Sequence, residues 1–317
     1  MIYFFILGYV FFLKVTDFTP DVYKRKLRNR FKTLFIPFIV WNLVAVLVEL
    51  SYFFPPLSSL RPGLDFADVD FSARTILQTF WDSKHGIFGN AYPPVENWSG
   101  MLYPQDSPLW FLRVLMLMAL LTPVLHWLIK RLRLYFVGAA YVAWIWAYLS
   151  GNGIAIELTT ALFPFSFGAY MSISGNDMMM IFGKYFRVSV VAYVVLSSVQ
   201  VAALYCDAQM LFLSVKVLAA PAALVFAYNM SAWLLRRGIC RVVPLLASAS
   251  FFIYVTHDIC LSNVVRIFIY LFHPTSQFAI AATYLSVIVV MSFALLWLFW
   301  LMQRYTPRLL KFVAGRK

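Results

Sequence analysis

Apolar stretches of 15 to 25 residues recur along this chain from end to end, and no other feature limits its possible folds so sharply. A run of about 20 apolar residues crosses the hydrocarbon core of a bilayer as a helix, which satisfies its own backbone groups where no water can. With 62% of the 317 residues hydrophobic and only 12% charged, a soluble domain of this length is excluded. The fold class is all-α, a polytopic membrane helix bundle. Spans are expected near 2–14, 34–54, 109–129, 135–149, 155–173, 188–206, 210–228, 243–260 and 277–301, which makes nine crossings.

The placement of charge gives these crossings a direction. Lys24, Arg25, Lys26, Arg28, Arg30 and Lys32 fill six of nine positions directly before the second run. If their loop is cytoplasmic, alternation also brings Lys130, Arg131, Arg133, Lys184, Arg187, Arg236, Arg237, Arg241, Arg304, Arg308, Lys311, Arg316 and Lys317 inside. Nineteen of the 26 lysines and arginines then share one face, as the positive-inside rule requires. The expected site is the cytoplasmic (inner) membrane, with the C-terminus cytoplasmic and a long loop, about 55–108, on the outer face. A net charge of +13 in a soluble protein would point to nucleic acid; set beside membrane spans it points to anionic lipid, and no nucleic-acid partner is expected.

Cys206, Cys240 and Cys260 lie in or beside apolar runs without metal-ligand spacing, so neither a disulfide framework nor a metal site is expected. Residues 261–272 carry Val264, Val265, Phe268, Ile269 and Phe272 beside Arg266 and are expected to lie along the outer interface. The outer loop holds Asp65, Asp68, Asp70, Asp82, Glu96 and Asp106 among Trp81, Tyr92, Trp98 and Tyr103, with a short amphipathic helix expected over 72–82. No internal repeat or second domain is evident, and residues 1–317 read as a single membrane domain. The alternation leaves Met1 outside, on a first span of about 13 residues with no basic segment before it. The expectation is one further helix ahead of it, entering from the cytoplasm and giving ten spans.

Several segments together resemble the acyltransferase 3 family of integral membrane acyltransferases. They are Phe4, Phe5, Ile6, Leu7, Gly8 and Tyr9; the basic run followed by Leu34, Phe35, Ile36, Pro37, Trp41 and Asn42; and Pro108, Leu109, Trp110, Phe111, Leu112 and Arg113. Phe163, Pro164, Phe165, Gly168, Ala169 and Tyr170 continue the series, which ends with Ser250, Phe251, Phe252, Ile253, Tyr254, Val255, Thr256 and His257. Leu7 departs from the family's small polar residue at its position. The resemblance implies movement of an acyl group, commonly acetyl from coenzyme A, to a hydroxyl of an outer-face sugar or glycan. It also implies that the principal catalytic histidine belongs to a first helix not found in this sequence, so that the chain as written is expected to be inactive or an inactive fragment. Acetyl-CoA or acyl-CoA is then a co-substrate, and no bound cofactor is expected.

The residues support parts of this directly. Counting along the spans brings Glu49, Arg113, Glu157, Lys216, His257 and Asp258 toward the outer half of the membrane, where they and Trp110 are candidates for an acceptor cavity. Arg113 fits two roles, a fork for a carboxylate or carbonyl and a structural partner for Glu49 or Glu157. His257 likewise fits both a general base and a packed, hydrogen-bonded imidazole. Arg25, Arg28 and Arg30 are the preferred contacts for coenzyme A phosphates, and Arg25 with Arg28 matches the family's pair of arginines three apart; orientation and lipid attraction alone would also account for the cluster. A transporter or lipid-handling protein is the other class in play. It would carry inverted repeats, whereas Pro123, Pro164 and Pro221 do not occupy corresponding positions.

Overall fold

The computed structural model describes residues 1–15, 18–61, 63–91 and 102–315, and all regular structure among them is helical. Tyr92, Glu96, Trp98, Arg316 and Lys317 lie outside the described residues. The α-helices run in order α1 (Ile2–Phe12), α2 (Pro20–Arg30), α3 (Ile36–Ser51), α4 (Ala73–Thr79), α5 (Trp110–Leu132), α6 (Leu134–Ser150) and α7 (Gly153–Ile173). They continue with α8 (Met178–Lys184), α9 (Phe186–Tyr205), α10 (Gln209–Arg236), α11 (Pro244–Phe272), α12 (Gln277–Tyr305) and α13 (Pro307–Val313).

Apolar helices stand at all nine expected positions, and seven of them are long and apolar enough to cross a membrane. The two others, α1 and α6, have 11 and 17 residues. At 1.5 Å per residue these are roughly 16 and 25 Å long, less than the roughly 30 Å of a hydrocarbon core. Helix α6 stops at Gly151, whose φ of +66° is a left-handed cap, and Asn152 then opens α7 by accepting from the Ala155 N–H.

Two expectations are corrected. Residues 261–272 do not turn aside along an interface; they complete α11, a single 29-residue helix. Nothing after Pro244 breaks it, because the segment holds neither glycine nor proline and every N–H keeps its partner four residues back. The basic segment is also no loop, since α2 runs through a π-helical turn (Phe31–Phe35) into α3 as one continuous rod. The expected helix over 72–82 is α4, shorter than its window and capped by the Ser72 hydroxyl, which accepts from the Thr75 N–H.

The chain forms two compact units, and α2 and α5 each pass from one to the other. In the first, whose described residues fall within 1–26 and 117–241, α1 lies against α7 with their backbones nearly touching. A Cβ on Gly8 would stand 2.1 Å from the Phe165 carbonyl oxygen, and one on Gly168 would stand 2.0 Å from that of Phe5. Such contacts use small residues because lipid is as apolar as leucine, so close packing drives helix association in a membrane. Buried Phe5 and Phe182 stack beside this seam, and α10 joins through Asn229, whose amide donates to the Phe182 carbonyl.

The second unit (27–96, 102–116 and 242–317) holds α3, α4, the start of α5, and α11 to α13. Phe252 of α11 packs on Phe299 of α12, and the Trp41 indole N–H donates to the Val313 carbonyl of α13 at 2.9 Å. The connection between α3 and α5 folds back on the helix ends. Gln105 and Ser83 donate backbone N–H bonds to Thr79 and Tyr103, and Phe88 stacks on Phe53.

Candidate active site

The second unit contains a cavity of about 140 Å³ lined from three elements. Helix α3 supplies Ala45, Val48, Glu49 and Tyr52, the α3–α5 connection supplies Arg61, Gln105 and Asp106, and α11 supplies Asp258, Ile259 and Ser262. The α3 residues recur at three- and four-residue spacing, so one stripe of the helix forms a wall. Asn42 begins that stripe one turn before Ala45. It is fully buried, and its Oδ1 accepts the Asp106 backbone N–H at 3.1 Å.

Two of the charged groups in the cavity wall have side-chain partners from other segments, and a third accepts a hydroxyl. Glu49 and Arg61 form an ion pair, and the Arg61 guanidinium lies 4.4 Å from the centroid of the Tyr52 ring. Asp258 accepts the Ser107 hydroxyl at 2.9 Å, while neighbouring Tyr254 donates its hydroxyl to the Pro108 carbonyl. These bonds fix α11 against the start of α5.

Asp106 is the exceptional member. It is 1% exposed, and neither carboxylate oxygen has a hydrogen-bond partner among the described residues. An aspartate before a helical turn ordinarily caps it, yet Asp106 makes no such bond. The following residues are Ser107 and Pro108, and the proline lacks one of the N–H groups a cap would use. Burial, and then the Asp258 carboxylate, push the Asp106 acid up to about 8.

The structure distributes the other candidates as follows. Arg113 is buried at the start of α5, with Nη2 donating to the Leu102 carbonyl at 2.8 Å and Nη1 to that of Trp81, over whose ring the guanidinium also lies. It clamps the connection down, while Glu49 takes Arg61 as its ion-pair partner. His257 is half-buried on α11 beside the cavity wall, and its Nδ1 lies 2.7 Å from the Tyr254 carbonyl. A carbonyl only accepts, so Nδ1 donates in this contact. Trp110 is edge-on to Phe111 and is not among the cavity's lining residues. Glu157 and Lys216 belong to the first unit, the former buried in α7, the latter 5.0 Å from the centre of the Tyr148 ring. On α2, Arg25 and Arg28 are exposed and share a face with Lys24 and Lys32, whereas half-buried Arg30, two residues beyond Arg28, points to another. Among the described residues no group of three or more His, Cys, Asp or Glu is placed to hold a metal ion.

Sequence reasoning passed over Arg61, Gln105, Asp106 and Ser262 as site residues. Two signals were available. Arg61 is a rare cation in an acidic connection, and Asp106 sits at the lip of a span where a proline disables its capping role.

Long apolar helices and an internal, ionisable cavity define a multi-pass membrane protein with a buried polar site. A family model described as an acyltransferase domain, that of acyltransferase 3, matches residues 1–304. The chain belongs to the acyltransferase 3 family of membrane acyltransferases. No curated protein and no solved structure matches it significantly.

Proposed function

We propose that this chain is an O-acyltransferase of the cytoplasmic membrane that moves an acetyl or short acyl group from acyl-CoA to a hydroxyl of a cell-surface sugar or glycan. The observation that carries this reading is the separation of charge along one rod: an exposed cationic face on α2 at one end, and an acid-lined cavity along α3 at the other. Guanidinium forks on the α2 face suit the pyrophosphate and 3′-phosphate of coenzyme A. The cavity lining carries three carboxyl groups against one guanidinium and suits a neutral polyol whose hydroxyls bond to acids. Tyr52 adds an aromatic surface for a sugar face.

In this reading α2 begins on the cytoplasmic face, and the α3–α5 connection lies on the outer face. A reporter fused after Arg131 should accordingly read cytoplasm, and one inserted near Gly86 should read outside. The reverse pattern overturns the orientation.

The donor assignment is tested with carbon-14 acetyl-CoA supplied to membranes bearing the protein, following transfer to envelope glycan. Changing Arg28 to Ala should raise the apparent KM for acetyl-CoA about tenfold, the low end for a charge-assisted hydrogen bond, and leave insertion intact. An unchanged KM in the Arg25→Ala/Arg28→Ala variant reduces the basic face to an orientation signal.

A further inference from the structure

An acceptor sugar must be gripped before it can be acylated, and among the described residues the cavity offers one acid that holds nothing yet. We propose that the cavity seats a single sugar ring of the acceptor, with Asp106 as its anchor. Each of the two carboxylate oxygens accepts from one of a pair of adjacent ring hydroxyls. The inference rests on the function proposed above and adds the ligand class of the cavity and the residue that selects it.

Commitment separates Asp106 from the other acids. Glu49 holds Arg61, and Asp258 accepts from Ser107. Both Asp106 oxygens are buried in the cavity wall and have no hydrogen-bond partner among the described residues. Burying a carboxylate without partners is costly, and hydroxyls donating to it form short, charge-assisted bonds that offset the cost. Hydroxyls on neighbouring ring carbons lie side by side, so they meet both oxygens of one carboxylate together, as an arginine fork does.

The acid is also fixed in place. Its backbone N–H donates to Asn42 Oδ1 at 3.1 Å, and its carbonyl accepts from the Leu109 N–H at 3.0 Å. Asn42 is itself anchored, because its amide donates to the Phe38 carbonyl at 2.8 Å. Just before Asp106, the Gln105 backbone N–H donates to the Thr79 carbonyl at 2.9 Å. With the main chain bonded on both sides, the carboxylate is positioned before a ligand arrives, and binding has little left to order.

Size and lining point to one ring. The cavity measures about 140 Å³, and a protein cavity of about 150 Å³ accommodates one benzene ring. Gln105 and Ser262 add an amide and a hydroxyl to the wall, while Ala45, Val48 and Ile259 add apolar surface. A sugar ring uses both kinds of surface, polar groups for its hydroxyls and apolar ones for its C–H face.

Two measurements on the full chain test this. The first is acetyl transfer in membranes from carbon-14 acetyl-CoA to solubilised envelope glycan. Asp106→Asn, which keeps the shape and removes the charge, should raise the KM for glycan at least about tenfold and leave kcat and the KM for acetyl-CoA unchanged. Glycan oxidised with periodate, which cleaves between adjacent hydroxyls, should no longer accept acetyl from the unaltered protein. The second measurement needs no turnover: purified Asp106→Asn should unfold at a higher temperature than the unaltered protein, because a buried charge without a partner is gone. If the unaltered protein transfers acetyl and Asp106→Asn matches its KM for glycan, Asp106 is not the anchor and the enzymatic reading stands. If the unaltered protein transfers nothing, that reading fails and takes this inference with it. Undiminished transfer to periodate-treated glycan overturns the hydroxyl pair. A lower unfolding temperature for Asp106→Asn, or its failure to accumulate, makes Asp106 a structural residue and overturns the anchor.

Discussion

Replacing Gly168 with Val is expected to prevent recovery of a folded, monodisperse protein. The added Cβ would meet the Phe5 carbonyl oxygen at 2.0 Å and the Tyr9 nitrogen at 2.9 Å, both backbone atoms of α1. No rotamer relieves such a collision, so α1 must leave α7 and expose the stacked rings of Phe5 and Phe182. Overpacking costs about 1 to 3 kcal/mol where side chains yield, and a backbone collision belongs at or above the top of that range. Gly8→Ala should fail similarly, because its Cβ would stand 2.1 Å from the Phe165 oxygen. Gly138 on α6 is the control, since a Cβ there meets nothing within 4 Å and Gly138→Ala should be neutral or slightly stabilising. Size-exclusion profiles and thermal unfolding in detergent decide the matter. A Gly168→Val protein as stable as the Gly138→Ala control would mean that α1 and α7 do not pack this closely.

Breaking the Glu49–Arg61 pair should be nearly as damaging. Both side chains are largely buried, with 14% and 16% of their surface exposed, so Arg61→Ala leaves a carboxylate facing the cavity wall without its guanidinium. Removing one member of a buried pair typically costs about 3 to 5 kcal/mol. The double variant Arg61→Ala/Glu49→Gln should regain much of that loss, because no buried charge is then stranded. Regain will be incomplete, since Arg61 also covers the Tyr52 ring and Glu49 feels a second attraction from Arg266. A thermal-unfolding double-mutant cycle yields the coupling directly, and strictly additive losses would show that the two residues stabilise the protein independently.

These predictions touch the two kinds of information the chain carries. Gly8 and Gly168 fall inside the family-like segments at Phe4–Tyr9 and Phe163–Tyr170, yet only the packed structure gives the reason for them: the facing residue of each is a backbone carbonyl of the other helix. The sequence offers Arg113 as a fork for a carboxylate or as a partner for Glu49 or Glu157, and the structure buries it at the start of α5. Its hydrogen bonds to Trp81 and Leu102 make it a clamp on the α3–α5 connection, a role dependent on how that connection folds back.

The basic run shows the same division. Its charge was evident from composition, but an exposed face with Arg25 and Arg28, and Arg30 turned away, required the segment to be helical rather than a loop. The sequence reads the run as a basic loop before the second span, because its charges break the apolar pattern that marks a membrane helix. Tertiary contacts support the helix here, with Lys26 donating to the Phe11 carbonyl and the Tyr23 hydroxyl to that of Leu120.

The sequence by itself determined that this is a polytopic helical membrane protein, where the nine apolar helices among its described residues lie, and which motifs tie it to its family. Length and hydrophobicity of a run are local quantities, and a backbone in lipid has no alternative to the helix. Tertiary structure alone decided which ionisable groups share a site: Glu49 took Arg61 from the adjoining connection, and Asp258 came beside Asp106 through Ser107, 151 positions earlier in the chain. Desolvation and partner choice arise only when distant elements close around a group. The same carboxylate that would cap a helix in water is buried here with no hydrogen-bond partner among the described residues, and burial, then an aspartate on another helix, push its acid up.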